Sequence, residues 1–200
     1  MVCEGRPNKD DPNRTRISVA GNCVSYPGDV ATPTGSLEIL KLIINSTLFC
    51  PCARFVCFDI KNFYWDTPMD RSEYARIKLS VIPQEIIDEY NLLDYKHNWL
   101  IYFEIVRGCY WLPQSGCLAN YLLHKRLNKE GCFEASTTPG LWRHKWIPIQ
   151  FMLIVDDFGV EYVRRKHSDH LALVLKKYHD ISEYWEGKKI SGIDLIWDYA

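Results

Sequence analysis

Residues 151–160 read FMLIVDDFGV. Five apolar residues lead into Asp156 and Asp157, and Phe158, Gly159 and Val160 resume the apolar pattern. Ionised carboxylates are costly at low dielectric unless they are solvated or paired with a cation. The pair therefore marks either a solvated turn or a site with a cationic partner. Its flanks, 147–155 and 158–163, both read as strands, so the stretch predicts a hairpin with Asp-Asp at its turn.

Outward from that hairpin, 54–60 is short, apolar and rich in β-branched and aromatic residues, as a buried strand is. Residues 115–129 read as a helix with Leu118, Tyr121, Leu122 and Leu127 on one stripe and Gly131 as its stop. A second amphipathic helix covers 167–179, with Leu171, Val174, Leu175 and Tyr178 on one face. A last strand is expected at 189–197. From residue 54 the order is β-α-β-β-α-β with an insertion after the first strand, the split βαβ or ferredoxin-like arrangement of an α+β fold. Upstream, 1–35 reads as loop or short edge strands, and 36–48 as a helix with Leu37, Leu40 and Ile44 in phase behind a Ser36 N-cap. Within the insertion, 62–82 reads as irregular, Pro83 opens a short helix through Tyr90, and 98–106 reads as a strand.

This order has a chemical consequence. A right-handed crossover makes the first and second strands parallel, and the third inserts between them running the other way. The end of the first strand and the turn between the second and third then share one sheet edge. Asp59 ends the first strand, and Asp156 and Asp157 form the turn. Clustered carboxylates repel unless a proton or cation sits between them, and hard oxygen donors suit Mg²⁺. Adjacent strand residues point to opposite faces, so Asp156 and Asp157 cannot share one geometry with Asp59. Asp59 and Asp156 are taken as the metal pair, with Asp157 peripheral. A plain solvated Asp-Asp hairpin is the alternative reading.

Composition bounds the rest. The 200 residues carry a net charge of −1, and 47% are hydrophobic, which fits a globular chain with a sizeable core. A strongly basic face is not advertised, so any nucleic-acid function must rest on a site. No apolar run approaches the length of a membrane span, and none looks like a secretion signal. The eight cysteines are dispersed, and Cys50-Pro-Cys52 with Cys57 lacks the second pair or the histidines of a zinc site. Reduced, intracellular thiols are the expectation, in the cytoplasm or the nucleus.

Three stretches in order, FVCFDIKNFY (55–64), RGCYWLPQSGCLAN (107–120) and FMLIVDDFGV (151–160), resemble polymerase motifs A, B and C of reverse transcriptases, nearest to the copia-type LTR retrotransposon group. YWEGKKISGIDL (184–195) resembles that family's segment near the primer-gripping hairpin, and the likeness runs over roughly 14–199. The resemblance implies a polymerase palm with the ferredoxin-like core at 54–200, a fingers insertion at about 65–108, and a partial fingers segment at 1–53. It implies RNA-directed DNA polymerase activity with Mg²⁺, or Mn²⁺ in its place, on deoxynucleoside triphosphates and a primed RNA or DNA template. It also implies that the chain is part of a retroelement polyprotein.

Residue by residue, the resemblance makes Asp59, Asp156 and Asp157 catalytic, with Asp59 and Asp156 on the metal. Tyr64 matches the aromatic that excludes a 2′-hydroxyl, and Gln114 the glutamine against the incoming nucleotide. Arg14 and Arg16 fall where basic residues touch the triphosphate. Pro113 and Gly192 fall where primer and template are held. Three positions depart from the pattern: Trp111 stands where Gly is usual, Ile154 where Tyr is, and Trp65 where Leu is. A decayed copy that keeps the palm fold without polymerase activity is therefore the second reading, and an unrelated two-metal phosphohydrolase or cyclase on the same scaffold is the third.

Overall fold

Phe58, Phe158 and Leu153 face one another across three neighbouring strands and share the centre of the core. The computed structural model describes residues 19–199 and, before them, the backbone of 2–3 and 15–16. In chain order the elements are β1 (Val2–Cys3), β2 (Thr15–Arg16), α1 (Leu37–Phe49), β3 (Arg54–Ile60), β4 (Pro68–Lys78), α2 (Gln84–Glu89), β5 (Leu100–Arg107) and α3 (Ser115–Lys129). There follow β6 (Cys132–Glu134), β7 (Leu141–His144), β8 (Ile149–Ile154), β9 (Asp157–Tyr162), α4 (Arg165–Lys176), β10 (Ile181–Tyr184), β11 (Lys189–Ile190) and β12 (Ile193–Asp194).

The fold is mixed α/β. Its main sheet has six strands in the order β10-β3-β9-β8-β7-β6, with every neighbouring pair antiparallel. β9 separates β3 from β8 and opposes both, so β3 and β8 run the same way. Strand alternation sorts the core into two layers. Val56, Phe58 and Ile60 of β3 join Leu123 and Leu127 of α3 and Leu171, Val174 and Leu175 of α4 in one cluster. Phe55 and Cys57, on the opposite face of β3, meet Ile39, Leu40 and Ile43 of α1. With both faces covered, β9 is buried nearly throughout, which explains the unbroken FGV run after the aspartates.

Gly159 is the close-approach point of that strand. A Cβ there would meet Ile190 Cδ1 at 2.7 Å and the Phe55 ring at 2.9 Å. Its absence lets the β11–β12 hairpin settle against the sheet. On the other side, the Trp142 ring stacks on Phe151 at 5.9 Å and 10°, and Phe151 leans on Phe158 at 5.7 Å.

Several elements differ from the sequence reading. The expected strand at 189–197 is instead a tight β11–β12 hairpin followed by irregular chain, and the strand beside β3 is β10. β10 buries one side chain, Ile181, so its pattern is too short to stand out. Ile190, Ile193, Leu195 and Trp197 are apolar because they cover the α1 layer, not because they form one strand. Residues 68–78, within the stretch expected to be irregular, form β4, which pairs with β5 in a separate ribbon. Most of β4 is exposed or half-buried on both faces, so it shows no apolar alternation. The outer strands β6 and β7 carry too few residues for a periodic signal.

Phe158 is fully buried in the larger core, so Phe158→Ala is expected to cost about 3–5 kcal/mol of unfolding free energy. The check is a denaturant titration in which the midpoint falls while the slope is unchanged.

Candidate functional site

The sheet edge that carries the aspartates is built by register. Asp59 is the cross-strand partner of Asp157. The Ile60 amide donates to the Asp156 carbonyl at 3.1 Å. A bond between the positions flanking the pair marks Asp59–Asp157 as a non-hydrogen-bonded pair, in which Cα atoms lie only about 4.5 Å apart and side chains are closest. Two carboxylates are thereby set side by side on one face, where like charges repel.

The turn sits one residue earlier than the sequence reading placed it. Ile154 pairs with Asp157, leaving Val155 and Asp156 as the two-residue loop. Asp157 belongs to β9 and stands opposite Asp59, while Asp156 occupies the loop. Asp156 nonetheless stays beside the end of β3, since its carbonyl accepts the Ile60 amide. Val155 has φ +57°, a left-handed value unusual for a β-branched residue. A strap from the segment before α1 holds it: the Val155 amide donates to Thr34 Oγ1 at 3.2 Å, and the Gly35 amide to the Leu153 carbonyl at 2.9 Å. These contacts join positions more than a hundred residues apart and leave no local trace in the sequence.

Electrostatics place the carboxylates relative to their neighbours. Burial pushes the Cys57 thiol up to about 12, and the Asp157 charge adds to it. Burial also raises the Tyr64 phenol, with the charge of Asp156 next. Asp157 thus lies near Cys57, and Asp156 near Tyr64.

That loop follows β3 directly. Phe63 is buried beneath it, and the Tyr64 ring meets Tyr110 edge-on at 5.1 Å. Its backbone is pinned from two sides. The Lys61 amide donates to the Asp180 carbonyl, and the Gly108 amide to the Thr67 carbonyl at 2.8 Å. A Cβ on Gly108 would run into the Tyr64 carbonyl, so the segment entering α3 and the Tyr64 loop touch only because Gly108 has no side chain.

The other expected site residues are placed as follows. Gln114 is fully buried at the start of α3, and its amide donates to Glu73 Oε1 at 2.8 Å. Its oxygen is buried without a hydrogen-bond partner. Glu73, on β4, is a contact the sequence reading missed, because nothing local links residues 73 and 114. Pro113 is half-buried beside Gly21. Trp111 has φ +74°, the conformation for which Gly is suited, and its ring is 77% exposed. Gly192 and Ser191, at φ +80° and +47°, form the two-residue turn of β11–β12, as a type I′ hairpin requires. Arg14 lies outside the described residues, and Arg16 lies in β2 with its side chain outside them.

Among the described residues, no three His, Cys, Asp or Glu side chains are placed to hold a metal ion between them. The donor chemistry still suits Mg²⁺, which takes one or two carboxylates and fills its octahedron with water and substrate phosphate oxygens. Asp59, Asp156 and Asp157 supply oxygen donors of that kind on one edge.

No family model matches the chain, and no curated protein matches it. Among solved structures, it is similar to a telomerase from Candida albicans in complex with a fragment of telomeric RNA, at 13% identity and a TM-score of 0.42, over 82% of this chain and 32% of that one. It is also similar to apo telomerase from Candida tropicalis, at 15% identity and a TM-score of 0.38, over 74% of this chain and 35% of that one. The chain thus spans about a third of the length of these two.

Beneath the Tyr64 loop, His179 is a buried polar group with a defined tautomer. Arg126 lies 2.9 Å from its Nε2, and since the guanidinium can only donate, Nε2 accepts and the proton sits on Nδ1, 3.9 Å from Asp66. Burial, then the Arg126 charge, lowers its pKa to about 4, with Asp66 opposing. The unfolded chain therefore binds this proton first, and stability falls as pH drops from about 6.5 towards 4. His179→Gln is expected to flatten that loss, read as a smaller shift in the urea midpoint between neutral and mildly acidic buffer.

Proposed function

We propose that this chain is a reverse-transcriptase-type palm that adds deoxynucleotides to a primer 3′-hydroxyl on an RNA or DNA template. The observation that carries the reading is the register that sets Asp59 beside Asp157, with Asp156 in the adjoining two-residue loop. The strand order β10-β3-β9-β8, with α3 and α4 as crossovers, supports it, since a ferredoxin-like palm has this connectivity. The three motifs resembling polymerase motifs A, B and C support it from the sequence side.

In this reading Asp59 and Asp156 hold Mg²⁺, or Mn²⁺ in its place, and Asp157 flanks them. When bound, such ions lower the pKa of an attacking hydroxyl and stabilise a leaving oxygen. The protein's own contribution is positional. The β3–β9 ladder holds the carboxylates on rigid buried strands, and the Thr34 strap fixes the loop. Tyr64, backed by Tyr110 and near Asp156, excludes a 2′-hydroxyl by bulk. Gln114, anchored by Glu73, positions the start of α3 and, through it, Pro113. Arg14 and Arg16 meet the triphosphate, and the Gly192 turn meets the primer.

A second reading has a specific observation behind it. Trp111 keeps the left-handed backbone of a glycine position yet projects a large exposed ring beside the proposed nucleotide site. A copy that folds but no longer polymerises would tolerate this.

Primer extension on an RNA template with Mg²⁺ tests both. The proposed polymerase extends the primer, and Asp59→Asn or Asp156→Asn lowers the rate at least a hundredfold, the scale on which loss of electrostatic stabilisation is felt. Asp157→Asn is expected to cost less. A folded wild-type chain that never extends, with Trp111→Gly restoring extension, establishes the decayed reading.

A further inference from the structure

The β4–β5 ribbon stands apart from the main sheet and has two unlike faces. Glu73, Ala75 and Ile77 pair with Ile105, Phe103 and Ile101 on one face, which turns towards the small core of Leu79, Ile87 and Ile101. Tyr74, Arg76 and Lys78 pair with Glu104, Tyr102 and Leu100 on the other. That outer face leaves Tyr74 76% and Tyr102 54% exposed. Exposed aromatics on a ribbon are costly to solubility and call for an explanation.

The end of the ribbon adds a third ring. His97 and Leu100 exchange both backbone hydrogen bonds, at 2.9 Å each, around the two-residue loop Asn98-Trp99. Both loop residues have positive φ, +49° and +61°. This is the backbone of a type I′ turn, whose second position strongly favours glycine. A tryptophan is held there instead, 70% exposed, with Lys96 Nζ 4.9 Å from its ring centroid. Strain retained at an exposed aromatic points to a use for that ring. Beside it, Lys78, Ser80, Asn98, Trp99 and Leu100 line a recess of about 480 Å³, within the size range of small-ligand sites. None of the five is acidic.

We propose that this face is a binding site for single-stranded nucleic acid, with a base stacked on Trp99 in the recess and the backbone running along Lys96, Lys78 and Arg76 towards Tyr102 and Tyr74. Aromatic platforms interleaved with cations bind single strands by stacking and by phosphate contact, without reading sequence. Arg76 and Lys78 on this face, with Lys96 against the Trp99 ring, outnumber its one carboxylate, Glu104, so the surface complements a polyanion. Asn98 and Ser80 supply polar groups at the recess wall. The inference uses none of Asp59, Asp156 and Asp157 and does not depend on polymerisation.

The test is fluorescence anisotropy of a labelled oligo(dT) with the full chain. Trp99→Gly is the decisive variant, because glycine relieves the turn while removing the ring. It is expected to melt at the same or a higher temperature than the wild type yet bind at least about fivefold more weakly, the loss of one stacked base. Lys78→Glu is expected to weaken binding and to make it less steeply dependent on salt. Failure of the wild type to bind, or binding by Trp99→Gly equal to wild type, overturns the proposal. So does a concentration-dependent dimer that Trp99→Gly abolishes without any oligonucleotide binding, since the face would then serve a second copy of the chain. Primer extension by a chain that fails this test would leave the polymerase reading standing and this site refuted.

Discussion

The register of one antiparallel ladder governs the candidate site. Asp59 meets Asp157 because Phe58 meets Phe158 and Val56 meets Val160, one and three positions deeper in the same strands. A slip by one residue would move Phe158 out of the core and turn Asp157 into it, at a cost in burial the fold could not sustain. The hydrophobic core thus fixes where the charges lie. Packing elsewhere sets the two carboxylates side by side on the edge, where the proposed divalent cation would act.

The same logic explains why much of the site was legible in the sequence. The FMLIV and FGV runs around the aspartates are apolar because β8 and β9 are covered on both faces, and that pattern can be read directly. β3 matches the bounds read from its short apolar run, Arg54–Ile60, and α3 those read from its helical stripe, Ser115–Lys129. What stayed hidden depends on partners distant in sequence. The position of the turn, Val155-Asp156 and not Asp156-Asp157, is set by pairing with Ile154 and by the Thr34 strap. Burial of Gln114 follows from Glu73 on a ribbon whose polar strand gave no signal. β10 was displaced in the reading by the more apolar 189–197, whose side chains serve the α1 layer.

Positive φ at three bulky residues ties these observations together. Val155, Trp111 and Trp99 each hold a backbone conformation that favours glycine. Each sits at a place with a proposed role: the carboxylate loop, the entrance to α3, and the tip of the ribbon. Such strain persists where surrounding structure over-determines it, and here the determinants are visible as paired strands or as a strap on either side of the residue. A chain optimised for stability alone would carry glycine or asparagine at these points.

The central proposal is that Asp59 and Asp156, flanked by Asp157, hold a divalent cation. Substoichiometric Mn²⁺ added to isotopically labelled protein tests it through paramagnetic broadening of backbone amide resonances. The account predicts that amides of residues 57–60 and 155–158 broaden first, that excess Mg²⁺ restores them, and that Asp59→Asn removes the effect. Broadening centred elsewhere in the chain, or none at the β3–β9 edge, would contradict it.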